Sequence, residues 1–94
     1  MKLSIAQQRD LTKSAEIFLN LWEKFKTDIS VAPTLHSLAY FTKKIVIYEG
    51  MNVHDPSILE YIINTAKEIE NATTPEDISL SKLQGLNFSL FNQG

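Results

Sequence analysis

The longest amphipathic run of the chain spans residues 11–25, LTKSAEIFLNLWEKF, and contains the only tryptophan. Ile17, Leu19 and Leu21 widen its apolar surface, which indicates a helix that contacts neighbours on more than one side. The run therefore predicts a central helix that the rest of the chain must cover. Five apolar residues follow one another at spacings of four, three, four and three positions, which places them on one helical face: Leu11, Ala15, Phe18, Trp22 and Phe25.

Start and stop signals define the first two helices. Ser4 and Gln7 form a capping-box pattern, so the first helix is expected over residues 5–27. A proline after a short polar connection opens a second helix over residues 33–49. Gly50 follows directly and suits the left-handed conformation just beyond a helix end.

Two further proline-containing signals predict a third and a fourth helix. An aspartate followed by a proline opens the third helix, over residues 56–71, because the carboxylate can accept the unpaired amides of the first turn. A threonine followed by a proline opens a short fourth helix, over residues 75–84. Gly85 is expected to end the fourth helix in the left-handed conformation.

The last stretch, residues 86–94, is predicted to form an apolar C-terminal tail. It is too short and too polar at its end for a further amphipathic helix, and terminal residues are ordered only when something holds them. The tail either packs onto the first helix or remains available to a partner, which includes exchange between the protomers of a homodimer. Its large apolar residues are Leu86, Phe88, Leu90 and Phe91.

These elements predict an all-α fold: a compact antiparallel bundle of three main helices, a short fourth helix and the C-terminal tail. A chain of 94 residues is expected to form a single domain over residues 1–94. The predicted core consists of Leu11, Ala15, Phe18, Trp22, Phe25, Leu35, Leu38, Ile45, Leu59, Ile62, Ile63, Ala66, Ile78 and Leu83.

Composition argues against several classes of function. The formal net charge is -2 and Arg9 is the only arginine, so a nucleic-acid partner is not expected. The chain has no cysteine, which excludes disulfides and thiolate metal sites, and no cofactor motif is present. The N-terminal residues lack an apolar stretch of signal-peptide length and no run is long enough to span a membrane, so a cytoplasmic protein is expected.

The two histidines are the main candidates for catalysis, because imidazole titrates near neutral pH. His36 and His54 are 18 residues apart and form no metal-binding pair on one helical face. A small helical enzyme that pairs one of them with a carboxylate, such as His54 with Asp55, remains an alternative. The chain has no nucleophile motif and no glycine-rich phosphate loop, so we do not expect an enzyme.

The second predicted helix carries a positive and aromatic group of residues, His36, Tyr40, Lys43 and Lys44. This group is either a solvated helix face or a docking site for an acidic partner. Contact with an anionic membrane surface is a further alternative. Such contact would be weak, because two lysines contribute little to membrane binding. This group and the apolar residues of the predicted tail are the candidate partner-binding residues.

By elimination, the sequence predicts a small non-catalytic module that binds a protein partner through a helix face or its apolar C-terminal tail. In layout it resembles the cytosolic immunity proteins against class IIa bacteriocins: it has a similar length, a predicted helical bundle and a lysine-rich acidic composition. In that family the C-terminal segment takes part in recognition. The resemblance implies that the protein protects a sensitive cell and that residues 86–94 carry specificity.

Overall fold

The computed structural model describes residues 2–93, and in this range the chain is helical with no strand. The all-α bundle that the sequence predicts is confirmed. The first three helices end two or three residues before the predicted positions. In chain order the elements are α1 (Ile5–Lys24), α2 (Ala32–Ile47), α3 (Ser57–Ile69), a 3₁₀ turn (Pro75–Asp77) and α4 (Leu80–Phe91).

Each helix of the bundle packs against two others. α1 and α4 lie diagonally opposite, and both contact α2 and α3. α2 and α4 run in the same direction, because the hydroxyl of Ser37 donates a hydrogen bond to Asn87 Oδ1 (2.7 Å) and the ring of Phe41, four residues on, contacts Phe91. The C-terminal ends of α2 and α4 therefore lie side by side at one end of the bundle.

α1 and α3 also run in the same direction. Near the end of α1, Lys24 Nζ donates a hydrogen bond to the carbonyl oxygen of Ala72, just after α3 (2.8 Å). The connection between α2 and α3 therefore crosses one end of the bundle, and its Val53 is buried there. Gly50 begins this crossing with φ 82°, which confirms the predicted left-handed glycine after α2.

Side-chain caps fix the starts of α1 and α3. Ser4 Oγ accepts a hydrogen bond from the amide of Gln7 (3.1 Å), and Gln7 Oε1 accepts one from the amide of Ser4 (2.9 Å). This capping box confirms the predicted start of α1 at Ile5. At α3, Asp55 Oδ1 accepts a hydrogen bond from the amide of Ser57 (3.0 Å), as expected for a capping carboxylate.

A third carboxylate organises the turn before α4. Asp77 Oδ2 accepts hydrogen bonds of 3.0 Å from the amides of Thr73 and Thr74 and from the hydroxyl of Thr73. These donors favour the charged form and lower the pKa of Asp77. The loop between α3 and α4 is thus fixed by one side chain.

The predicted core is confirmed with one exception. Every predicted core residue is buried except Trp22, which is partly buried. The indole ring lies at the edge of the core, 5.1 Å from the imidazole of His36. Phe18, which is fully buried, is the largest such side chain and lies in the middle of α1.

The predicted boundary between a fourth helix and a tail is wrong. α4 begins at Leu80 and continues through Gly85 to Phe91, and the predicted start of the helix is instead the 3₁₀ turn. Leu86 and Leu90 are buried against α2 and α3, not on α1 as the packed alternative supposed. Together with Leu83 they form the buried stripe of one continuous amphipathic helix.

Gly85 lies inside α4, opposite a tyrosine of α3. A Cβ atom at this position would lie 3.2 Å from the hydroxyl oxygen of Tyr61, which belongs to α3. Glycine in a helix interior costs about 1 kcal/mol relative to alanine. Burial of Leu86 and Leu90, which follow Gly85, stabilises the folded state by several times that amount. The helix therefore continues through the glycine.

One hydroxyl of α2 is buried without a hydrogen-bond partner in the described part of the chain. Thr42 is fully buried and its Oγ1 has no hydrogen-bond partner among residues 2–93. Thr42→Val keeps the shape and removes the unpaired group, so we expect the free energy of unfolding to rise by about 1 kcal/mol. The melting temperature, followed by circular dichroism, should rise by about 4–8 °C.

The matched control is Thr12→Val on α1. Thr12 is exposed and its hydroxyl donates a hydrogen bond to the carbonyl oxygen of Gln8 (2.7 Å). Thr12→Val should therefore change the free energy of unfolding by no more than about 0.5 kcal/mol. A Thr42→Val protein that melts below the wild type would show that the hydroxyl of Thr42 is satisfied in solution.

Candidate partner-binding surface

The outward face of α2 exposes several large apolar side chains. A helix face that contacts only water usually carries polar residues. Four consecutive apolar residues, 45–48, turn through about 300° of the helix at about 100° per residue, so they cannot all face the core. Ile45 is buried, whereas Ile47 is 73% exposed and Tyr48 is 52% exposed. Tyr40, two turns before Ile47 on the same side, is 59% exposed.

The C-terminal end of α4 continues this face. The ring of Phe41 lies 5.5 Å from that of Tyr40 and 6.3 Å from that of Phe91, both in edge-to-face arrangements. Phe91 is 71% exposed. We define the aromatic surface as the residues of this face that α2 and α4 bring together: Tyr40, Phe41, Lys43, Lys44, Ile47, Tyr48 and Phe91.

Two lysines give the aromatic surface its charge. Together with Tyr40, Ile47 and Tyr48 they line a shallow cavity of about 260 Å³. Lys44 Nζ lies 5.9 Å from the centre of the Tyr48 ring, within the range of a cation–π contact. Lys43 makes no ion pair within residues 2–93.

The structure brings together residues that the sequence analysis proposed for different reasons. Tyr40, Lys43 and Lys44 came from the second predicted helix, and Phe91 came from the predicted tail. Phe88, also from the predicted tail, is 69% exposed about one turn before Phe91. Ile47 and Tyr48 were missed, although the unbroken apolar run at the end of α2 was the signal for them.

Two of the proposed residues do not belong to any surface. Leu86 has no exposed area and Leu90 is 2% exposed. A partner cannot reach either side chain while α4 is docked on α2 and α3. Their role is in the core of the bundle.

The two histidines lie near opposite ends of α2 and do not form a pair. His36 packs against Trp22 near the start of α2, where Lys26 Nζ lies 5.4 Å from the indole ring. His54 lies in the crossing connection at the other end of α2, and its backbone amide donates to Gln93 Oε1 (2.7 Å). The neighbouring Asp55 accepts hydrogen bonds from Ser57 at the start of α3.

The described residues show no arrangement that would hold a metal ion, since no three His, Asp or Glu side chains among residues 2–93 come together in a suitable group. Over the same range, no helix is both long and apolar enough to cross a membrane.

Comparison with known proteins assigns no family or function to this chain. A scan of protein families, a search of curated proteins and a search of solved structures each gave no match for this chain. The aromatic surface is therefore interpreted from its own geometry.

Proposed function

We propose that this protein is a non-catalytic module of the cytoplasm that binds a protein partner through the aromatic surface. The observation that carries the proposal is that the ring of Phe41 contacts two exposed rings from different helices, Tyr40 of α2 and Phe91 of α4. Single exposed apolar residues are common on proteins, but a contiguous group that includes several aromatic rings is typical of an interaction site.

The composition of the aromatic surface suits a protein partner with acidic groups. Tyrosine and phenylalanine are enriched in protein interfaces because they bury a large area at a small cost in side-chain entropy. Lys43 is a cation without an ion-pair partner in the described part of the chain, so an acidic partner would be steered towards it. Such charge complementarity raises the association rate and selects against basic partners.

Photo-crosslinking in the producing cell tests this proposal. A photoreactive phenylalanine analogue replaces Tyr40 or Phe91, and as a control it replaces Asn64, which is exposed on α3. We expect both sites on the aromatic surface to yield a protein adduct of the same mass, and the Asn64 variant to yield none. Lys43→Glu should reduce the yield of that adduct by about tenfold or more.

Equal adducts from all three positions would show that contact is not confined to the aromatic surface. Adducts of different mass from Tyr40 and Phe91 would show that these residues do not form one site. Either result contradicts the proposal.

Immunity against a class IIa bacteriocin is a second candidate, favoured by two features. The chain forms a four-helix bundle, and Phe88 and Phe91 are exposed at the C-terminal end of its last helix. Expression in a sensitive cell should then increase survival in the presence of such a bacteriocin. Phe88→Ala combined with Phe91→Ala should remove the protection.

The control for the survival assay is Ile29→Ala. Ile29 is 90% exposed but lies in the connection between α1 and α2, at the other end of the bundle from Phe91. This variant should protect as well as the wild type. Survival that is unchanged by the wild-type protein, across a panel of class IIa bacteriocins, would exclude this candidate.

A further inference from the structure

A second recognition feature adjoins the aromatic surface and lies between α1 and α2. Two adjoining cavities of about 300 and 560 Å³ share Thr12, Glu16 and Val46, so they form one continuous groove. Ile5, which is 85% exposed, and Ile47, which is 73% exposed, line its two parts. The groove is thus a shallow depression open to solvent, with apolar side chains along it and polar or charged side chains at its edges.

The dimensions of the groove match a short helix. Along α1 it extends from Ile5 to Glu16, a distance of about 16 Å at 1.5 Å per residue. A helix of about three turns has this length. Its floor includes Ala15, whose short side chain leaves room above the contact between α1 and α2.

The charges along the groove are mainly positive. Arg9, Lys13 and Lys43 line it, against the single carboxylate of Glu16. Arg9 Nε lies 3.6 Å from Asp10 Oδ1. Because this ion pair is exposed to solvent, it contributes little to stability. Lys13 and Lys43 form no ion pair within residues 2–93, so the groove has cations available for an acidic ligand.

Two other occupants fit these features less well. A second copy of this chain docked groove to groove would bring the same lysines together, and like charges in an interface are unfavourable. A bilayer is flat at this scale, so it would contact the outer rim but not the recessed floor at Ala15.

We propose that the groove between α1 and α2 binds an amphipathic helix of a protein partner, with its apolar stripe on the floor and acidic side chains along its edges. This is the helix-in-groove mode of recognition, in which apolar residues at positions i, i+3, i+4 and i+7 anchor the ligand. The inference does not rest on the proposed function, because the groove shares only Lys43 and Ile47 with the aromatic surface.

A pair of synthetic peptides tests the inference on the full-length protein. Both are amphipathic helices of about four turns with the same leucine stripe, one with glutamates and the other with lysines on the flanking positions. Fluorescence anisotropy should show the glutamate peptide binding at least about tenfold more tightly, with the difference decreasing at high salt. Amide chemical-shift changes should centre on Thr12, Glu16 and Val46.

Charge reversal provides the matched pair of variants. The combination of Arg9→Glu, Lys13→Glu and Lys43→Glu should reverse the preference, so that the lysine peptide binds more tightly. A control with the same change in net charge carries Lys26→Glu, Lys67→Glu and Lys82→Glu, three exposed positions that do not line this groove. The control should retain the preference for the glutamate peptide, and circular dichroism establishes that both variants fold.

Several results would overturn the inference. One is equal affinity for the two peptides, or no chemical-shift change in the groove up to millimolar peptide. Shifts confined to Tyr40 and Phe91 would reject the groove while leaving the proposed function intact. Self-association abolished by the charge reversal would assign the groove to a second copy, and peptide displacement by anionic vesicles would assign it to a membrane.

Discussion

A chain that ends at Gly85 is expected to be largely unfolded at 25 °C. The truncation removes Leu86 and Leu90, which are buried, and uncovers the surfaces of α2 and α3 that they cover. Loss of each buried leucine costs about 2–5 kcal/mol, and both together approach the 5–15 kcal/mol that stabilises a typical domain. Far-UV circular dichroism should show a loss of helix well beyond the residues removed.

Single substitutions on α4 distinguish the effect of losing a buried side chain from the effect of shortening the chain. Leu86→Ala and Leu90→Ala should each lower the melting temperature by at least about 8 °C. Phe88→Ala is the control, since this larger side chain on the same helix is 69% exposed and should change stability by no more than about 0.5 kcal/mol. Equal effects at all three positions, or a truncated chain that melts like the full protein, would mean that α4 is not docked in solution.

The error in the sequence analysis at Gly85 has a physical origin. A glycine after an apolar run matches the usual end of a helix, and the pattern carries no information about what lies across the interface. In the structure the glycine lies where Tyr61 of α3 approaches α4 closely. That approach depends on tertiary packing, which local signals do not contain.

Signals confined to a few neighbouring residues gave the correct result elsewhere. The capping box at Ser4 and the carboxylate cap at Asp55 are formed as expected, because each involves residues at most three positions apart. The core was predictable for a similar reason: helical periodicity identifies the inward face of each helix without the identity of its neighbour. Trp22 departs from this pattern because its indole ring lies at the edge of the core, beside the imidazole of His36.

The candidate site was predictable only in part. The sequence identified Tyr40 and Lys43 on one helix and Phe91 on another segment, but not that they lie near each other. Their proximity depends on the parallel pairing of α2 and α4, which follows from the crossing connection between α2 and α3. The groove between α1 and α2 was not predictable at all, since it depends on how the two helices are spaced.

Phe18→Ala is expected to lower the free energy of unfolding by about 3–5 kcal/mol, because it empties the largest fully buried site. α1 packs against both α2 and α3, so the cavity would weaken more than one helix interface. Urea denaturation measures the loss as a lower midpoint with an unchanged m-value.

The control on the same helix is Ile5→Ala, because Ile5 is 85% exposed and should change stability by no more than about 0.5 kcal/mol. Phe18→Leu, which keeps most of the buried volume, should lose less than Phe18→Ala. If Phe18→Ala were as mild as Ile5→Ala, the centre of the bundle would tolerate a large cavity, and packing around Phe18 would not be what holds α1 to α2 and α3. A large loss at Phe18 together with a small one at Ile5 would show that α1 stabilises the bundle through its buried face, so side chains on its exposed face can be replaced without unfolding the protein.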